Sequence, residues 1–287
     1  MIALTVVLAA FFGISLNAQD RNEVIKYYND GAKAMQTDIP AAITAFETVI
    51  TLSDQVGESV NDLKQKAVQV LPGLYYKLAA AAYNEKKPAT EIIAASKTSY
   101  AMAEKYGSAT YKDNSNKILV NGYYKMATEF FSANDYENAM LAFDSVLTLN
   151  PNHIASIYNK ALIYKNQDNA DAFEETIDLF LTKLDPEKDA DKALQAKGVA
   201  LEYFRSAGSK ANAANKLDEA LALLNRAAKY GDDKTLFYFF ADVYNKKNNF
   251  SSGAEYAQKG LDLQTGDAEA KAMFYNQLDV AQAGKGE

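Results

Sequence analysis

Cysteine is absent from this 287-residue chain. Without a thiol there is no disulfide framework, no thiolate metal site, no cysteine nucleophile and no lipid-carrying cysteine behind a leader. Histidine occurs once, as His153, just after Asn150-Pro151-Asn152. A single imidazole cannot build a multi-histidine metal centre, and the common triads cannot be assembled in the usual way. At that junction a lone histidine reads as a cap or a packed side chain. Tryptophan is missing too. Clustered positive charge is also missing. There are 30 basic residues against 37 acidic ones, the net charge is −7, and the lysines are scattered. That pattern excludes the basic stripe a nucleic-acid footprint needs. No glycine-rich phosphate loop and no nucleophile elbow occurs, and no motif supports a hydrolase using only Asp and Glu. The composition therefore points to a non-enzyme with no cofactor and no metal.

Long apolar runs are scarce as well. Met1 to Ala18 is uncharged, Ile2 to Ile14 is apolar, and Leu16-Asn17-Ala18 ends on a small residue. The run is shorter than the ~20 residues that span a bilayer comfortably. It reads as a secretory signal peptide over 1–18, cleaved before Gln19, although the usual basic residue near the start is missing. The expected mature chain, 19–287, is then periplasmic or secreted, not a lipoprotein, and carries no stable transmembrane segment.

What is present is tyrosine (19) and alanine at regular spacing. Between Tyr123 and Pro151, large residues Tyr123, Phe130, Tyr136 and Phe143 alternate with small Ala127 and Ala139 at helical spacing. A polar break at Ala133-Asn134-Asp135 divides two helices, and the small residues mark where their backbones cross. The string Tyr75-Tyr76-Lys77-Leu78-Ala79 is echoed by Tyr123-Tyr124-Lys125-Met126-Ala127, and Tyr27-Tyr28 stands equally far upstream. These units are longer than the one that follows, and the extra residues are expected to lengthen helices. Pro72 is expected to start or kink the helix of Tyr75. Units are expected at 23–53, 74–106, 119–150, from Ile154 to Pro186, 189–230 and from Phe237 to Gly260. The turn from Ala207-Gly208 to Asn215 is expected to be long. A last helix, Asp267 to Ala283, is expected to cap the array with polar Lys271, Gln277 and Asp279. No period-two alternation occurs, so the fold class is all-α, built of antiparallel helix pairs.

Order and spacing in the 123–151 unit resemble the tetratricopeptide (TPR) repeat, whose consensus places aromatic, small and proline residues this way over about 34 residues. The resemblance extends, with weaker motifs, over most of the chain. It implies a right-handed superhelical solenoid of about six TPR-like units plus the capping helix, and a protein or peptide partner held in a concave groove. By resemblance, the residue after the first large one of each first helix faces that groove. This gives Tyr28, Tyr76, Tyr124, Tyr158 and Tyr238 as groove candidates, with Asn121, Thr128, Asn159, Lys165 and Asp242 nearby. Tyrosine suits an anchor because it offers large contact area, little side-chain entropy and a polar tip. The same tyrosines could instead pack against the neighbouring repeat.

Two acidic clusters need a reading. Asp185, Glu187, Asp189 and Asp191 alternate, but a calcium loop starting at Asp185 would need Gly and Glu where Ala190 and Ala196 stand. Asp189 and Asp191 are expected to cap the next helix. Glu174, Glu175 and Asp178 are expected to form a solvated helix face. The resulting expectation is an exported scaffold, an accessory subunit of a bacterial cell-envelope complex. The alternative is a glycan-binding protein on the same scaffold, disfavoured by the lack of tryptophan platforms and inserted loops.

Overall fold

The computed structural model describes residues 20–263 and 268–286. The expected leader over 1–18 lies outside the described residues, which are all-α and contain no strand. Helix α1 spans 20–34, and α2 spans Ile39–Val56. A short 3₁₀ turn precedes α3 (Asn61–Asn84). Then follow α4 (Ala89–Lys105), α5 (Ala109–Ser132) and α6 (Tyr136–Leu149). The remainder are α7 (Ile154–Asn166), α8 (Ala170–Lys183), α9 (Ala190–Ala213), α10 (Leu217–Ala228), α11 (Lys234–Lys246), α12 (Phe250–Asp262) and α13 (Ala268–Lys285).

One local device makes most of the pairs. The first helix ends at a residue with positive φ, namely Lys86, Asn134, Asp168, Asn215 or Asn248. Asn and Asp tolerate that left-handed conformation better than most side chains, which is why four of the five positions hold them. In three cases the next residue caps the second helix. Asp135 accepts from Asn138 N–H at 3.3 Å, Asn169 from Ala172 N–H at 3.2 Å, and Asn249 from Ser252 N–H at 3.2 Å. Each such cap contributes about 0.5–2 kcal/mol.

The chain divides into two compact units, and the boundary between Ser156 and Ile157 falls within the first turn of α7. In the first unit, α3 and α5 each run 24 residues, so the added length lies in helix, as expected. Helix α3 begins at Asn61, well before Pro72, which is buried inside it and does not start it. Ala127 and Ala139 are fully buried at their helix crossing beside fully buried Phe143. Phe46, Leu71, Leu74 and Ile92 fill the rest of the core. Burying one such side chain is worth about 1.5–3 kcal/mol.

In the second unit, α9 corrects the expected long turn. Residues 207–213 are helical, α9 is another 24-residue helix, and only Ala214 to Lys216 form the turn. Gly208 is not a break. A Cβ there would lie 2.8 Å from Leu224 Cδ2 and 3.3 Å from the Ala220 carbonyl oxygen, so glycine admits α10 against α9.

The expected solvated face of α8 holds for Glu175 and Asp178, which are exposed, and is corrected at Glu174. The Glu174 side chain is only 16% exposed and meets Arg226 Nε at 2.7 Å and Lys229 Nζ at 2.5 Å. Asp178 accepts a 2.8 Å hydrogen bond from the Tyr230 hydroxyl. The Arg226 guanidinium lies 4.3 Å from the centre of the Phe204 ring. Glu174 thus meets the end of α10 and Asp178 meets Tyr230 just beyond it, while Asp178 and Glu175 stay exposed.

At the end of the chain, Phe274 of α13 is fully buried. Gln277, expected on a polar outer face, is buried and accepts from Asn245 Nδ2 at 2.9 Å. Asp279 does face solvent.

Candidate functional site

The sequence-derived groove residues are divided between the two units. In the first unit, Tyr28 is half-buried with its ring edge-on to Phe46, 5.6 Å between centres. Tyr76 meets Tyr111 at 5.6 Å. Tyr124 lies between Phe143 (6.1 Å) and His153 (4.9 Å). Thr128 donates to the Lys125 carbonyl at 2.9 Å, and Asn121 is exposed. His153 is a cap, as expected. Its Nδ1 accepts the Ser156 N–H at 3.3 Å and lies 2.9 Å from Ser156 Oγ. Burial lowers its pKa and keeps the ring neutral.

In the second unit, Tyr158 packs on Phe180 at 5.0 Å, and burial raises its phenol pKa. Asn159 is half-buried. Tyr238 meets Phe274 at 6.2 Å. Asp242 is held in a polar ladder across α9, α11 and α13. Lys246 Nζ lies 2.7 Å away, Asn212 Nδ2 donates at 2.7 Å, and Gln277 Nε2 donates at 3.4 Å. Burial opposes its charge, but Lys246 and the two amides outweigh that and hold its carboxyl below the usual range.

A cleft of about 590 Å³ lies elsewhere in this unit. That falls within the ~300–1,000 Å³ of ordinary ligand sites. One wall is the end of α7 and the turn to α8, with Lys165 and Asp168; the other is α10, with Glu219 and Leu223. Its floor is the second half of α9, including Tyr203, Ala207 and Ala211, with Ala214 just past the helix end. The alanines stand on one helix face and leave the floor shallow and apolar. Tyr203 fixes one edge. Its hydroxyl donates to Asp168 Oδ1 at 2.8 Å, and its ring packs on Phe173 at 4.9 Å. Burial and the Asp168 carboxylate push its phenol up to about 12, so it remains a donor.

Of the groove candidates, Lys165 lines this cleft. Sequence reasoning missed Lys210 and Ala211 because it placed a turn over 207–215. The signal was available in the 3.6-residue spacing of Ala200, Phe204, Gly208 and Ala211, which are all buried. Among the described residues, no group of His, Cys, Asp or Glu could hold a metal ion, and no helix is long and apolar enough to cross a membrane.

Residues 120–153 match the family model of the tetratricopeptide repeat. The span covers the second half of α5, all of α6 and the junction to α7. Over this helix pair the chain matches the tetratricopeptide repeat, a scaffold typical of protein–protein interaction. No curated protein matches the chain. Among solved structures it is similar to the MamA protein, with 18% identity and a TM-score of 0.34 over 58% of this chain and 82% of that one. It is similar to a tetratricopeptide repeat protein from Parabacteroides merdae, with 12% identity and a TM-score of 0.26 over 92% and 99%. It is also similar to yeast Tom70, with 18% identity and a TM-score of 0.25 over 85% and 60%.

Proposed function

We propose that this chain is an exported helical-repeat scaffold that holds a protein or peptide partner, as an accessory subunit of a bacterial cell-envelope complex. The observation that carries the binding half of this reading is the α7–α9–α10 cleft, which is open, ligand-sized and edged by both apolar and charged side chains. Export rests on the uncharged apolar stretch before Gln19. Tyr28, Tyr76, Tyr124, Tyr158 and Tyr238 are proposed as further contacts. The neighbouring rings already restrain most of them, so binding would order little more.

Two measurements test the reading. The intact mass of the exported protein should place its first residue at Gln19; a mature chain that keeps Ile2 to Ile14 overturns export. Immobilised mature chain should retain a defined set of envelope proteins. Ala214→Trp, which fills the cleft from an exposed position, should release them. No specific retention overturns a partner-binding scaffold, and retention unchanged by Ala214→Trp overturns the cleft as the site.

A further inference from the structure

We infer that the first half of α9 docks a short amphipathic helix of a partner protein, laid parallel to α9 against Leu194, Gly198 and Leu201. This surface is separate from the cleft and does not rest on it. At about 100° per residue, these three positions point roughly opposite to Tyr203, Ala207 and Ala211, which line the cleft. Leu194 is 73% exposed, although large and apolar. Gly198 is exposed, and a Cβ there would meet nothing within 4 Å. Leu201 is half-buried, with Gly231 at its edge.

The continuation of this stripe indicates what fits it. Arg205 and Asn212 follow Leu194, Gly198 and Leu201 on the same side of α9. Arg205 pairs with Asp233, the N-cap of α11, and Asn212 donates to Asp242 at 2.7 Å. The two contacts advance together along both helices, so α11 runs parallel to α9 and holds the second half of the stripe. Because α11 begins at Lys234, it does not reach the first half. From Arg205 back to Leu194 is about three turns, which sets the length of the docked helix. Such an occupant extends an interface the chain already makes.

A helix suits the site because α9 has no free backbone groups to offer along its middle. An extended peptide would set unpaired N–H and C=O groups against leucine, whereas a helix satisfies its own. The parallel direction also places its C-terminal dipole end against the N-terminal end of α11. The first unit shows which side chain to expect. There a Cβ on Gly73 of α3 would lie 2.9 Å from the hydroxyl oxygen of Tyr111, in the first turn of α5. Gly198 offers the same kind of gap with no ring in it, so the partner helix carries an aromatic residue there between two aliphatic ones. Exposed charges of both signs, Asp191 and Lys197 among them, flank the stripe, so the apolar face and not charge selects the partner.

The test uses the mature chain and a fluorescein-labelled alanine–lysine helix carrying Leu, Tyr and Leu at spacing i, i+4, i+7, read by anisotropy. It should bind saturably. A counterpart of equal charge with Gln at those three positions should bind roughly tenfold more weakly, as should the leucine peptide to Leu194→Glu. Circular dichroism should show Leu194→Glu melting like the parent, since the side chain is exposed. A nitroxide on the C-terminal end of the peptide should broaden the amide signals of Lys234 and Thr235 more than that of Asp191; the reverse overturns the continuation of α11. Equal binding of the glutamine peptide to the parent chain overturns the inference without relying on any variant. So does a parent chain that light scattering shows to be dimeric and that Leu194→Glu makes monomeric, which would give the stripe to a second copy. Peptide binding lost in Ala214→Trp but kept in Leu194→Glu would place the helix in the cleft instead and overturn the stripe. If Ala214→Trp releases the envelope proteins while the leucine peptide fails to bind, the partner-binding reading stands and this inference falls.

Discussion

Gly198 and Gly208 lie in the same helix and should respond oppositely to the same substitution. Replacing a helical glycine by alanine gains about 0.8–1.0 kcal/mol of backbone propensity. At Gly198 an added Cβ meets nothing within 4 Å, so Gly198→Ala should stabilise by about that amount. At Gly208 the Cβ would lie 2.8 Å from Leu224 Cδ2, 2.9 Å from its Cγ and 3.3 Å from the Ala220 carbonyl oxygen. Carbon atoms pack best at about 3.5–4.0 Å, so α10 must retreat or Leu224, fully buried, must leave its rotamer. Overpacking of this kind costs about 1–3 kcal/mol. The two substitutions should therefore differ by about 1–3 kcal/mol, with Gly208→Ala at best neutral. Urea unfolding followed by far-UV circular dichroism measures both. Adding Leu224→Ala should abolish the extra penalty at Gly208, since the two changes share one contact. Equal stabilisation by both alanines would refute the close α9–α10 crossing and return Gly208 to a turn.

Three further outcomes follow from contacts already described. Tyr230→Phe should cost about 1 kcal/mol in thermal unfolding, because it removes the hydroxyl that Asp178 accepts from. His153 has a folded pKa below its ordinary 6.5. Its contribution to stability is complete above 6.5 and is lost as pH falls from there toward the lowered value, since the unfolded chain takes up the proton first. The melting temperature of the parent should therefore fall more steeply on mild acidification than that of His153→Asn, which can cap at any pH. Ala139→Trp should cost about 1–3 kcal/mol or more, because Ala139 is fully buried at the α5–α6 crossing. An unchanged melting temperature would contradict that crossing.

The helix pairs were legible in the sequence because their determinants are local. Phe143, Ala127 and Ala139 declare their faces by spacing, and Asn134-Asp135 encodes both the left-handed turn and the cap that follows it. The cleft was not legible, because its floor depends on α9 continuing through Gly208. A glycine that ends a helix and one that admits a neighbour look alike until the neighbour, Leu224, is in place. Glu174 was misjudged for a related reason. Glu174 and Asp178 find their partners at Arg226, Lys229 and Tyr230, beyond the whole of α9, and no pattern within α8 reveals a partner that distant in the chain. Gln277 likewise reads as a solvent-facing residue until Asn245 is seen to donate to it.

From α3 onward the first helices of the pairs come in two lengths. Helices α3, α5 and α9 have 24 residues, whereas α7 and α11 have 13. The difference of eleven is close to three whole turns at 3.6 residues each. Three turns return a side chain to nearly its starting angle, so the long form extends the short one by about 16 Å without rotating its packing face. A repeat of this kind can lengthen or shorten silently only in such steps. Removing eleven residues from the start of α9 would keep Phe204, Gly208 and Ala211 aimed at α10. Removing nine or thirteen would turn the retained start by about two hundred degrees relative to the segment that enters it, and the chain arriving from α8 would meet the wrong side of the helix.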